Sequence, residues 1–166
     1  MIRALDATAA LGRVGPVSVW TWTVIVNRSR EAVFAYLTDM SRHGEWSPKP
    51  YRIDPVEGDA GVATVGARFR SVGTIPGDRH HENDVEITRV DPPDRFGFIA
   101  HERGQPFTHD FVLTAVPEGT KVERTVDSPE PTGLLRVIYP LLWSVVIKPG
   151  VQKDLESFKA RCEAST

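Results

Sequence analysis

Residues 29–39 read Ser-Arg-Glu-Ala-Val-Phe-Ala-Tyr-Leu-Thr-Asp, and the flanking sequence takes its meaning from them. Ser29 is placed to cap a helix, because its side-chain oxygen can accept from a backbone N–H of the first turn. Val33, Phe34 and Leu37 then share one helical face, which predicts a helix running to about Leu37 with one buried stripe. Asp39 can cap a second short helix over residues 40–45. Pro48 and Pro50 end it, since neither ring can continue a helix. Upstream, residues 17–26 are rich in Val, Ile, Trp and Thr. Trp20, Trp22, Val24 and Val26 share one parity, as a strand with one apolar face requires.

Downstream the apolar period shortens to two. Residues 51–57 form a candidate strand, and Pro55 places it at an edge or bulge. Further strands are expected over 67–74, 81–90, 95–101, 108–116 and 121–126. They are separated by Pro76-Gly77-Asp78, Asp91-Pro92-Pro93-Asp94, residues 102–107 and Glu118-Gly119. Such short connections describe an antiparallel meander. After Pro131 the period lengthens again. Leu134, Ile138, Leu141, Leu142 and Val145 follow helical spacing, as do Val151, Leu155, Phe158 and Cys162. Pro140 and Pro149-Gly150 interrupt that run, which predicts one kinked helix or two collinear ones. A sheet with its helices segregated in this order is an α+β fold.

Composition agrees with a single folded unit. The chain has 166 residues, 40% apolar and 25% charged, close to the size of one ordinary domain. We expect a frayed leader over 1–16 and one domain over 17–165. The net charge of −2 argues against a general electrostatic grip on nucleic acid. One cysteine, Cys162, excludes an internal disulfide and a cysteine zinc cluster, and places the protein most simply in the cytoplasm. Residues 134–147 contain Arg136 and Pro140 and fall short of a bilayer span, so stable membrane insertion is not expected. Arginine outnumbers lysine fifteen to five, a hint of a GC-rich bacterial genome.

The run 29–39, followed by Glu45-Trp46-Ser47-Pro48, resembles the opening of the START-like, or SRPBCC, superfamily, which includes the polyketide cyclase/dehydrase and lipid-transport proteins. Asp91-Pro92-Pro93-Asp94-Arg95-Phe96 resembles its link between middle strands. Phe111-Val112-Leu113-Thr114 with Pro117-Glu118-Gly119-Thr120-Lys121-Val122 resembles the hairpin before its last helix. The resemblance spans roughly 17–163. It implies a helix-grip fold: a curved antiparallel sheet of six to seven strands around a long C-terminal helix, two short helices after strand one, and a ligand cavity between sheet and helix. Pro149-Gly150 departs from an unbroken last helix.

That architecture makes Leu135, Ile138, Tyr139, Leu142 and Trp143 candidates for a cavity wall, with Phe98 and Val112 from the sheet. Core packing is the plainer reading of the same residues. For acid–base chemistry the first suspects are His101, His109 and Asp110. With residues 102–107 as the hairpin loop, His101 lies opposite His109 and Ile99 opposite Phe111. The favoured reading leaves both histidines near the hairpin end, solvated or hydrogen-bonded, and the competing parity turns Phe96, Phe98, Ala100, Val112 and Thr114 inward. His80 and His81 on a strand point to opposite faces, so His80, His81, Glu82 and Asp84 make an incomplete metal site. No metal or cofactor is called for. His43 reads as a surface residue, Trp46 as a cover over the helix–sheet seam, and Cys162 as a packed thiol. Asp84, Glu86, Asp110 and Arg124 are charges inside strands. Alternation turns most of them to solvent, and one turned inward becomes a catalytic or ligand-anchoring candidate. The leading expectation is binding, with or without transport, of a hydrophobic or amphipathic small molecule such as a lipid, polyketide or aromatic metabolite, by a monomer or homodimer. A cyclase, aromatase or dehydratase using the same cavity is second. An interaction protein working through the outer sheet face is third.

Overall fold

The computed structural model describes residues 17–47, 51–58, 61–75, 78–102, 105–130, 133, 135–142, 144–145 and 148–165. The expected leader at 1–16 and Trp143 lie outside the described residues. Ser29 caps helix α1 (Arg30–Thr38), accepting from the Ala32 N–H at 3.3 Å. Val33, Phe34 and Leu37 are buried as their spacing requires, and so is Tyr36, whose ring meets Phe158 from the C-terminal helix. Asp39 caps the next segment, but this is a 3-10 turn, Met40–Arg42, rather than a helix to residue 45.

That turn corrects the reading of His43, which is 3% exposed and not a surface residue. A 3-10 turn repeats every three residues, so its cap residue His43 falls on the same side as Met40, and Trp46 beyond it packs on the His43 ring. All three are buried. The His43 Nε2–H donates to the Leu37 carbonyl at 2.8 Å, and the ring sits among Trp46, Phe96 and Phe98. Burial pushes its pKa down to about 4, against a smaller upward pull from the Leu37 hydrogen bond. The unfolded chain therefore takes a proton at His43 before the folded one does. Stability attributable to His43 is complete above about pH 6.5 and falls as pH drops toward 4. His109, lowered in the same direction, adds to the trend, so the comparison must be between variants. Urea denaturation at about pH 7.5 and pH 5 is expected to show the wild type losing about 2 kcal/mol more than His43→Gln, which cannot titrate. Equal losses would show that His43 does not resist protonation.

Seven strands follow the meander expected from the turns: β1 (Val17–Val26), β2 (Arg52–Pro55), β3 (Arg68–Ile75), β4 (Asp78–Asp91), β5 (Arg95–Glu102), β6 (Gln105–Val116) and β7 (Gly119–Pro129). They form one sheet in the order β1-β7-β6-β5-β4-β3-β2, every neighbouring pair antiparallel. The strand carrying Pro55 is an edge strand, where a missing N–H is tolerated. The sheet is curved and open, and helix α3 (Lys148–Ala164) buries Leu155, Phe158 and Cys162. Burial pushes the Cys162 thiol up to about 11, which keeps it inert.

The segment just after β1 grips the last turn of α3. Arg28 Nη1 donates to the Cys162 carbonyl at 3.0 Å and also to the Ser165 carbonyl. Lys159 Nζ donates to the Ile25 carbonyl at 2.7 Å, and Glu163 accepts from the Asn27 N–H at 2.7 Å. A cation at a helix C-terminus also complements the helix dipole. Among the described residues the C-terminal region carries two α-helices, α2 (Leu135–Leu142) and α3. Neither proline stands between them. Pro140 sits inside α2, and Pro149 sits in the first turn of α3, where the absent N–H has no partner to lose.

Candidate functional site

Strand β7 contains the run Lys121-Val122-Glu123-Arg124-Thr125-Val126. Val122 and Val126 are buried, and Arg124 shares their parity at 8% exposure. A cation thus stands where alternation expects an apolar side chain. The register builds its surroundings. Trp22, Arg124, Phe111 and Phe96 form one row across β1, β7, β6 and β5. Trp20, Val126, His109 and Phe98 form the next. Arg124 and His109 are therefore diagonal neighbours, within reach of a long side chain. Arg124 Nη2 lies 3.2 Å from His109 Nδ1.

Chemistry assigns that hydrogen bond. A guanidinium has no acceptor, so it donates and Nδ1 accepts. His109 is then the neutral tautomer with its proton on Nε2. Burial, and secondarily the Arg124 charge, hold its pKa well below the usual histidine value. The imidazole stacks on Phe98 at 4.6 Å, and the guanidinium lies 5.5 Å from the Phe111 ring centre. Burial also lowers the pKa of Arg124 itself, opposed by the fields of Asp154 and Tyr51. Its Nε and Nη1 are buried without a hydrogen-bond partner among the described residues. The result is a donor cluster set into an aromatic wall.

Of the residues proposed from sequence, Phe98 and His109 lie on this concave face. His101 does not. Strand β5 runs to Glu102 and β6 starts at Gln105, so the hairpin connection is shorter than residues 102–107. That moves His101 opposite Pro106 and Phe98 opposite His109, which corrects both expected pairings. Phe96, Phe98 and Ala100 do face inward, but Phe96 and Phe98 pair with Phe111 and His109, and Val112 and Thr114 lie on the other parity. Val112 sits on the outer face between Arg95 and Glu123. Asp110 is on that face too, with Arg89 at 3.7 Å. Partial burial raises its pKa against the pull of Arg89 and Arg95. His101 is exposed.

Leu135, Ile138, Tyr139 and Leu142 all fall in α2, but that helix turns apolar surface outward. Val137 is 75%, Ile138 52% and Leu141 69% exposed. Tyr139 is half-buried, with its ring 6.2 Å from Trp20 and its hydroxyl against Ser128. This places α2 at the β1–β7 end of the concave face.

The outer face carries a groove of ≈ 340 Å³ lined by Arg52, Asp54, Arg70, Val72, His80 and Glu82 among others. Its arginines are paired, Arg52 with Asp54 at 2.7 Å and Arg70 with Asp84 at 3.3 Å, and His80 lies 3.7 Å from Glu82. His81, on the opposite parity to His80, is buried against Asp78 at 3.2 Å. Among the described residues no three His, Cys, Asp or Glu side chains gather to hold a metal. No described helix is long and apolar enough to cross a membrane.

The sequence matches, over residues 19–163, the family described as polyketide cyclase/dehydrase and lipid transport. The chain belongs to that family. No curated protein matches it in sequence. Similar solved structures include protein CV1439 from Chromobacterium violaceum, at 16% identity over 89% of this chain and 99% of that one, with a TM-score of 0.66. TTHA0849 from Thermus thermophilus gives 16% identity, 90% and 98% coverage, and a TM-score of 0.66. DynU16, of the dynemicin biosynthetic locus, gives 20% identity over 88% of this chain and 47% of its own, with a TM-score of 0.61. At these identities the likeness is one of fold. Within this polyketide cyclase/dehydrase and lipid-transport domain, the Arg124–His109 pair is the feature that sequence reasoning leaves conditional. Its signal is present in β7, where a charge interrupts Val122 and Val126 at their own parity.

Proposed function

We propose that this protein binds an amphipathic small molecule between the concave face of the sheet and the C-terminal helices. The observation that carries the reading is an inner face that its own elements cover only in part. Trp20, Tyr51 and Ala100 pack against the core, and His109 lies in the same sheet, yet each is only partly buried, which supports a space beside them. Helix α2, which would plug that space, exposes Val137 and Leu141 instead. Ligand sites combine apolar walls with a few fixed polar groups, which is the composition found here. Cyclase, aromatase or dehydratase chemistry would use the same space. His109 serves such chemistry poorly as a base, because its Nδ1 lone pair is already engaged by Arg124 and its Nε2 carries the proton. Binding is therefore the better-supported reading.

Nile red, a neutral environment-sensitive dye, tests it. The wild type is expected to enhance its fluorescence saturably. Ala100→Trp, which fills the inner face, is expected to weaken binding about tenfold or more. Leu141→Ser, on the exposed side of α2, is expected to leave it unchanged. Equal binding by wild type and Ala100→Trp, or loss only with Leu141→Ser, would place the dye on the surface and end the proposal.

A further inference from the structure

We infer that the ligand is an acid: an apolar or aromatic body ending in a carboxylate that seats on Arg124. This rests on the binding proposal above and adds the class of molecule bound.

Arginine stays protonated in proteins, so Arg124 is a cation on the inner face of the sheet at 8% exposure. Its hydrogen bond to a neighbour goes to His109, and that acceptor is a neutral ring nitrogen at 3.2 Å. Asp154 on α3 and Tyr51 act on the guanidinium through their fields. Neither supplies an acceptor to Nε or Nη1, which stay buried and unpartnered among the described residues. Buried polar groups in native proteins are otherwise nearly always bonded, and an orphaned one calls for an explanation such as a bound ion or ligand. Charged donors make that demand strongest.

The polarity of these unpaired donors selects the ligand. Arg124 offers only N–H groups. His109, with Nδ1 occupied, carries its remaining proton on Nε2 and adds a donor. A donor cluster of this kind suits an acceptor-only group and repels a cation. A planar guanidinium matches a carboxylate, and a single cation balances a single negative charge better than a phosphate dianion. Around it stand flat apolar surfaces: Phe98 stacked on His109, Phe111 beneath the guanidinium, and Trp22 in the same row. They suit an aliphatic or aryl body rather than a sugar or a peptide.

Two matched pairs of probes decide the matter by calorimetry on the full chain: decanoate against 1-decanol, and 2-naphthoate against 2-naphthalenemethanol. The wild type is expected to bind each acid about tenfold or more tighter than its alcohol, the usual scale for a charge-assisted hydrogen bond. Arg124→Met is expected to abolish that preference while holding alcohol affinity within about threefold. Arg124→Lys, which keeps the charge and loses the fork, is expected to fall between. Thermal unfolding separates a ligand anchor from a structural arginine. Replacing a buried guanidinium, two of whose nitrogens have no hydrogen-bond partner among the described residues, with a thioether of similar length is expected to leave Tm unchanged or raised. Equal affinity for acid and alcohol, an equal loss of both in Arg124→Met, or a lowered Tm with the preference intact overturns the inference and leaves the binding proposal standing. If neither member of either pair binds the wild type, both are overturned.

Discussion

Truncating Phe158 to alanine is expected to cost about 3–5 kcal/mol of stability, the range for a fully buried phenylalanine. Phe158 is 1% exposed on the inner stripe of α3. Its ring centre lies 5.6 Å from that of Tyr36 on α1 and 5.6 Å from that of Trp46, meeting the latter edge to face. The side chain is therefore the point where the last helix, the first helix and the segment carrying Trp46 meet. Removing it leaves a void that three separate elements must collapse to fill, and each is held elsewhere. Tyr36 donates to Glu45 at 3.0 Å, and α3 is tied through Arg28 and Lys159. Urea unfolding checks the value. A loss under about 1 kcal/mol would mean that α3 is not seated on α1.

A second large effect is expected at Gly119, which opens β7. Its φ is +131°, a conformation that side chains rarely adopt. A Cβ there would stand 2.2 Å from the Val26 carbonyl oxygen and 2.9 Å from Asn27 Cα. Both neighbours are backbone, and both belong to the β1 end paired with Thr120, whose hydroxyl donates to the Arg28 carbonyl at 2.8 Å. The clash cannot be relieved by turning a side chain. Gly119→Ala is expected to cost about 3 kcal/mol or more, strain and displacement together. Gly133→Ala is the control. Its φ is +62°, but an added Cβ meets nothing within 4 Å among the described residues. It is expected to cost about 1 kcal/mol, the backbone strain alone. Similar losses at the two glycines would show that the β1–β7 junction can yield.

The sheet and α1 are legible in the sequence because their signals are local. The Ser29 cap, the 33/34/37 stripe and the alternation in β1 act within one element. Register is less legible. Misplacing a hairpin loop by a few residues moves His101 onto or off His109, because strand period is two and side-chain facing depends on where the ladder starts. His43 is hard to place for a related reason: a 3-10 turn and an α-helix send the same residue to different sides. Helix α2 reads as a wall because it is apolar. Apolar composition does not say which way a helix faces, and α2 turns Val137 and Leu141 out. Arg124 is visible only as a charge inside a strand. Its inward direction follows from Val122 and Val126. The diagonal to His109 depends on pairings from the whole sheet, which no stretch of sequence states.

Whether the inner face of the sheet takes a small molecule is decided by backbone and indole chemical-shift mapping of the 15N-labelled chain, using 2-naphthalenemethanol so that no charge is needed. Binding on that face predicts saturable shifts at Trp20, Phe98, His109, Phe111 and Arg124, spread over β1, β5, β6 and β7. Shifts confined to residues 135–142 on the exposed helix, or no shifts at saturating probe, would contradict it.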